Sequence, residues 1–252
     1  MSRRLFGNTA IILFFLTTAG WAELTNSPYA VGERLDFKIY LEFVLGGDAS
    51  MSVKEVEDVD GHPCYRLVSE ARSTRTVDAI YKVRDKVESW RDLEGGFSRK
   101  YSKHLREGKY KDDKVVNYFP EQGTAHLYRG NREVPDTMEV KGHIYDVLAA
   151  FYAVRQMPLE VGKSIYFDLH DINQRYDLEV KVLGRERVEV PAGTFDCFIV
   201  EPELKSAGLF RKEGELQVWI TDDQYRMPVL MKSKLYFGRV WAKLVGYRRG
   251  GE

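Results

Sequence analysis

Catalysis or metal binding in this chain would have to come from five histidines, two cysteines and scattered carboxylates. His62, His104, His126, His143 and His170 stand singly, with no pair at the i, i+4 spacing that sets two imidazoles on one helix face. His170-Asp171 and Asp222-Asp223 come nearest to a metal or acid–base pair. Both have simpler readings: the first is a strand end facing water, the second a hairpin turn before Gln224. There is no Gly-x-Ser-x-Gly nucleophile elbow and no glycine-rich phosphate loop. No catalytic residue, metal ligand or cofactor is therefore expected, and the chain reads as a non-enzyme.

Three other features could bind rather than react. Arg99, Lys100, Lys103, Arg106, Lys109, Lys111 and Lys114, interleaved with Tyr101 and Tyr110, could form a patch for an anionic partner. The plainer reading is an exposed hairpin around Glu107-Gly108, whose lysines discourage edge-to-edge aggregation. Val147, Leu148, Phe151 and Val154 could line an apolar ligand cavity, or simply seal a helix against a sheet. Trp90 and Trp219 could stack on a sugar but read first as core. Cys64 and Cys197 sit among apolar residues, where a free thiol serves as a small buried hydrophobe. A disulfide between them needs an oxidising compartment and Cα atoms within about 7 Å.

The elements that must position these residues are mostly strands. Leu35-Asp36-Phe37-Lys38-Ile39-Tyr40-Leu41 alternates apolar and polar side chains, the period of a half-buried strand. Similar runs recur to Arg129, broken by Gly46-Gly47 and by Asp60-Gly61, a dipeptide that tight hairpins favour. One segment differs. From His143 to Gln156, Ile144, Val147, Leu148, Phe151 and Val154 recur at three- and four-residue spacings, which predicts a helix over 143–156 closed by Pro158. Alternation then resumes.

The two strand-rich stretches look alike. VGERLDF, Cys64 and the Trp90 block are echoed in order by VGKSIYF, Cys197 and the Trp219 block. The expectation is a single domain over 23–252, mainly β. Its large curved antiparallel sheet, a half-barrel or two packed layers, is built from similar halves at about 31–129 and 161–247, with one central helix against it.

Residues 1–22 stand apart. Arg3 and Arg4, the apolar run Ala10 to Leu16, and small residues at Gly20 and Ala22 describe a cleavable secretory signal. The apolar run is about half of what a membrane span needs. Cys64 is the first cysteine, so no lipid can be attached at the cut. The 38 basic and 38 acidic side chains then become 36 against 38 once the leader is gone. That balance argues against nucleic-acid binding, which requires an excess of cations. In a Gram-negative host the compartment is the periplasm.

Four blocks carry a resemblance: YAVGERLDFKIYLEFVLGG, YKVRDKVESW, YDVLAAFYAVRQMPLEVGK, and GTFDCFIVEPEL with GELQVWITDDQYRMPVLMKSKLYFG. In this order they resemble a bacterial exported family known as domain of unknown function 3108. The chain departs at the first hairpin, where Phe43-Val44-Leu45-Gly46-Gly47 replaces a Gly-Ile-x-Ala-Gly-like turn. The resemblance implies an exported β-rich envelope protein, and no functional residue transfers with it. A curved sheet with a helix against it is also similar to the periplasmic lipoprotein carriers, an analogy of fold alone. The expected function is a non-catalytic carrier of an apolar ligand such as a lipid or acyl chain. Two alternatives stand beside it, an envelope assembly factor acting through protein contacts and an unrecognised enzyme. Peripheral contact with a membrane fits either of the first two.

Overall fold

The computed structural model describes residues 27–204, 216–235 and 238–251, so the expected leader at 1–22 lies outside the described residues. The first half contributes β1 (Arg34–Leu41), β2 (Val44–Val59), β3 (His62–Ser73), a single turn of helix α1 (Arg75–Asp78), β4 (Arg84–Asp92) and β5 (Ser98–Glu107). It continues with β6 (Tyr110–Phe119), β7 (Thr124–Arg129) and β8 (Asp136–Glu139). Helix α2 (Val147–Gln156) follows, then β9 (Ser164–Asp171), β10 (Gln174–Val190), β11 (Gly193–Leu204), β12 (Leu216–Thr221), β13 (Pro228–Leu235) and β14 (Gly238–Arg248).

All fourteen strands belong to one antiparallel sheet, ordered β8-β7-β6-β5-β4-β3-β2-β1-β14-β13-β12-β11-β10-β9. Each half is a meander, and the halves join where β1 pairs with β14. A sheet this wide must twist and curl, because each strand is rotated relative to its neighbour. The curl brings the outer strands back towards each other without pairing β8 to β9. The stretch before α2 bridges the gap. Ser98 N donates to Ile144 O at 2.9 Å, Tyr145 N to Asp168 O at 2.9 Å, and His170 N to Tyr145 O at 2.8 Å. The Lys103 ammonium reaches Asp171, and Tyr118 shares a hydrogen bond with His170 Nδ1. The result is a barrel-like shell that does not close.

The helix begins later than its apolar spacing predicts. Asp146 is extended, and its Oδ1 accepts from the backbone N–H groups of Leu148 and Ala149, both at 2.9 Å. That cap sets the first helical residue at Val147. Residues 143–146 run as extended chain, and Ile144 packs among β5–β7 residues instead of on the helix. The far end follows the expectation: Met157 is extended, as a residue before proline must be. Leu148 and Tyr152 enter the central core cluster, while Ala150, Ala153 and Val154 pack on β9–β12. Phe151 touches both clusters, so α2 fills the concave side of the sheet.

The two halves repeat one register. In the first, Cys64 lies between Glu57 and Asp92 on neighbouring strands, and Trp90 Nε1 donates to Glu57 at 2.9 Å. In the second, Cys197 lies between Glu186 and Thr221, and Trp219 Nε1 donates to Glu186 at 2.8 Å. Each glutamate precedes its tryptophan by 33 residues. Both cysteines are free and buried, one in each half. Burial pushes each thiol up to about 12.

Candidate functional site

The strand ends opposite the β1–β2 turn surround a half-open cleft of about 510 Å³, within the range of small-molecule sites. Arg91 comes from the end of β4, Arg155 from the last turn of α2, and Arg226 from the turn between β12 and β13. Tyr65, Leu93, Met157 and Pro158 supply apolar surface, and Gln156, Gln224 and Ser27 supply neutral polar groups.

The three guanidiniums differ in what they have left to offer. Arg155 is fully committed. Its Nη1 and Nη2 each donate to a Glu33 carboxylate oxygen at 2.7 Å, while Nε donates to Arg226 O and Nη2 to Tyr225 O. The Tyr29 and Tyr152 rings lie about 5 Å from its carbon, in cation–π contact. Arg226 pairs with Asp222 at 3.3 Å and rests over Phe198.

Arg91 is the exception. Only 5% exposed, it donates to Tyr29 OH at 2.9 Å and to Gln156 Oε1 at 2.7 Å, and its buried Nε has no partner. Burial holds the Tyr29 phenol above its ordinary range, so neither acceptor carries a counter-charge. Among the described residues, Arg91 makes no ion pair. Space for its guanidinium is left by Gly96, which has φ +71° and where a Cβ would stand 2.7 Å from Nη2. A buried cation without a counter-ion is costly, and a ligand anion is one way to offset the cost. The cleft residues themselves are guanidiniums, amides, a phenol and apolar groups. The Ser27 hydroxyl accepts only a 3.4 Å contact from Gln156 Nε2, and no described base activates it. The arrangement can bind an anion.

The residues singled out by sequence fall elsewhere. None of Val147, Leu148, Phe151 and Val154 lines the cleft. Val147 is 46% exposed on the outside of α2, and the other three are packed into or against the core clusters. The basic run does not make one patch either. Strand alternation sends Lys103 to the face of β5 that carries buried Tyr101 and Lys100 and Arg106 to the other face, while at Arg99 the β4–β5 register slips by one residue and breaks the alternation. Arg99 is buried and paired with Asp92 and Glu121. Lys103 pairs with Asp171 and Arg106 with Asp113, Lys100 lies over Trp90, and Lys109 and Lys111 are exposed at the hairpin tip.

His170 is also corrected. It ends a strand but is 4% exposed, and burial holds its imidazole below the ordinary range. Asp222 and Asp223 do occupy a turn, where Asp223 Oδ1 accepts from the N–H groups of Tyr225 and Arg226. Among the described residues, no three His, Cys, Asp or Glu side chains are grouped to hold a metal.

Fold and cleft together define a class: barrel-like proteins built from one long meandering sheet, with an arginine-lined mouth at one rim. The chain belongs to the family described as a protein of unknown function, DUF3108, whose model matches residues 36–245. No curated protein matches it. It is similar in fold to a crystal structure of a beta-barrel-like protein of domain of unknown function DUF1849 from Brucella abortus. That match has a TM-score of 0.60 and 10% identity, and covers 89% of this chain and 100% of that one. Weaker overlaps, with TM-scores of 0.34 and 0.35, link it to an exported-protein candidate of YmcC-like fold from Bacteroides fragilis and a lipoprotein candidate from Parabacteroides distasonis. Both are 12% identical; each match covers 88% of this chain, with 98% and 97% of the other.

Proposed function

We propose that this is an exported, periplasmic, non-catalytic binding protein whose ligand is an acidic amphiphile, such as a lipid or fatty acid with an anionic head. One observation carries the reading: Arg91 is buried, unpaired with any described carboxylate, lines the cleft and keeps an unsatisfied Nε. An anionic head would supply the missing counter-charge. The apolar wall of Leu93, Met157 and Pro158 would take the first methylenes of a chain, each worth about 0.8 kcal/mol when buried. This refines the apolar-carrier expectation, because the helix face that suggested it is occupied by protein.

The alternative of an assembly factor working through sheet edges has less support. Strand β8 is four residues long and carries Asp136 and Glu139, and Tyr145 bridges to β9 at Leu169. Short, charged or covered edges discourage strand addition.

The test uses laurate and dodecyl phosphate against dodecanol, each below its micellar concentration. The acids are expected to raise the Tm of the wild type by several degrees, with dodecanol and the Arg91→Gln variant giving no shift. Equal shifts from all three probes, or none from the acids, overturn the reading. Native mass spectrometry of protein taken from its own periplasm should show a co-purifying anionic lipid. Its N-terminus should be Glu23 if export and cleavage occur as proposed.

A further inference from the structure

The meander sorts its turns. Consecutive antiparallel hairpins reverse at opposite ends of the sheet, so the connections at 42–43, 74–83, 108–109 and 130–135 share one rim. The arginine cleft, with Leu93 and Gln224, belongs to the other rim. Neighbouring connections touch along the first rim. Glu42 N donates to Arg239 O at 2.8 Å, Thr74 N to Gly46 O at 2.9 Å, and Gly108 N to Lys82 O at 2.8 Å.

Among the described residues, the four most exposed large apolar side chains are Phe43 (96%), Ile80 (91%), Val134 (80%) and Val44 (65%). All four stand in these connections or one residue beyond. Tyr81 and Tyr110, each about half exposed, accompany them. So do six exposed cations, Arg75, Lys82, Lys109, Lys111, Lys234 and Arg239, none of which forms an ion pair among the described residues. The acids there without a basic partner are Glu42, Asp85, Glu107 and Glu133, so unpaired positive charge is in excess.

We infer that this rim docks on an anionic lipid surface. Phe43, Val44 and Ile80 enter the headgroup region while the surrounding bases face lipid phosphates. Apolar tips on separate turns cannot bury one another, and core packing gives no reason for them. A bilayer receives several such tips at one depth. Tyrosines and basic side chains around them match the composition that membrane interfaces favour. The inference is independent of the cleft and would stand if no ligand bound there.

Co-sedimentation with vesicles of phosphatidylcholine, with and without phosphatidylglycerol, tests it. The purified protein should bind the mixed vesicles and bind pure phosphatidylcholine more weakly. Phe43→Asp with Ile80→Asp should lower binding at least tenfold. Lys109→Glu should lower it about fivefold or more, and only on the anionic vesicles. These side chains are solvent-exposed, so unchanged melting curves verify that the variants fold. Phe43→Trp placed on brominated lipid should be quenched at shallow depth. Phe43→Asp with Ile80→Asp, which lie outside the cleft, should leave the thermal shift with laurate as it is in the wild type, which separates this result from any failure of the cleft proposal. No wild-type preference for phosphatidylglycerol, or equal binding by the double aspartate variant, overturns the inference and turns attention to a protein partner for this rim.

Discussion

Arg155 and Glu33, 122 residues apart, meet through two hydrogen bonds of 2.7 Å with both side chains almost completely buried. The pair fastens the end of α2 to the chain entering β1. A buried ion pair adds little over a well-packed apolar pair, but removing one partner strands the other. Glu33→Ala is therefore expected to destabilise the fold by about 3–5 kcal/mol. Glu33→Ala with Arg155→Met should cost clearly less than the sum of the single changes. Urea unfolding midpoints of the four proteins measure the coupling.

Asp146 caps α2 from a fully buried position. Both Ser89 Oγ and Ser98 Oγ donate to its Oδ2 at 2.6 Å. Burial outweighs those donors and raises the carboxyl to about 6. A folded value above the unfolded one means that the stabilising effect is complete below about pH 4 and is lost as pH rises to about 6. The shift is worth roughly 3 kcal/mol. Asp146→Asn keeps an oxygen for the Leu148 and Ala149 N–H groups but cannot ionise. Relative to the wild type, it should gain stability between pH 4 and pH 7, measured by melting at each pH. An identical pH dependence in the two proteins would contradict this account.

Cys64 and Cys197 are buried thiols raised to about 12 and held in separate halves. Since the thiolate is the reactive form, both should resist iodoacetamide at pH 8 in the native protein and react fully in urea. Mass spectrometry counts the added groups. A reducing agent should leave the Tm unchanged.

Two glycines should respond oppositely to alanine. At Gly47 a Cβ would stand 2.4 Å from the Arg72 carbonyl oxygen on the paired strand. Gly47→Ala must push β2 and β3 apart, at a cost of about 1–3 kcal/mol. Nothing lies within 4 Å at Gly184 and its φ is not positive. Gly184→Ala should be neutral or stabilise by up to about 1 kcal/mol, because it narrows the unfolded ensemble. Differential scanning calorimetry distinguishes the two.

Much of the fold could be read from local pattern. Period-two alternation marked the strands, Asp60-Gly61 marked a tight turn, and Pro158 marked the end of the helix. The similar halves were visible because Cys64 and Trp90 recur in the same order as Cys197 and Trp219, with spacings that differ by four residues. What failed depends on tertiary context. Apolar spacing extended the helix to His143, whereas the cap at Asp146 shortened it. His170 ends a strand but is covered by Tyr118 from β6. The basic run read as one patch only while strand alternation was ignored.

The cleft as a whole was not legible, since its three arginines come from a strand end, a helix and a turn. One signal was present. Arg155 falls seven residues after Leu148 and three after Tyr152, on a face that is otherwise buried. A charge in that position announces a partner, although not which one.

The middle seam of the sheet has a consequence for how the protein is made. Because β1 pairs on one side with β2 and on the other with β14, the first described strand waits for one made about 200 residues later. Until the ribosome has passed Arg248, β1 and β13 each keep an exposed edge. A nascent chain can begin each meander early but cannot close the seam between them until β14 has been made. Such late, long-range pairing is slow and vulnerable to aggregation. Losing β14 would therefore open the middle seam and leave the halves held only by α2, the stretch before it and the contacts of Lys103 with Asp171 and Tyr118 with His170.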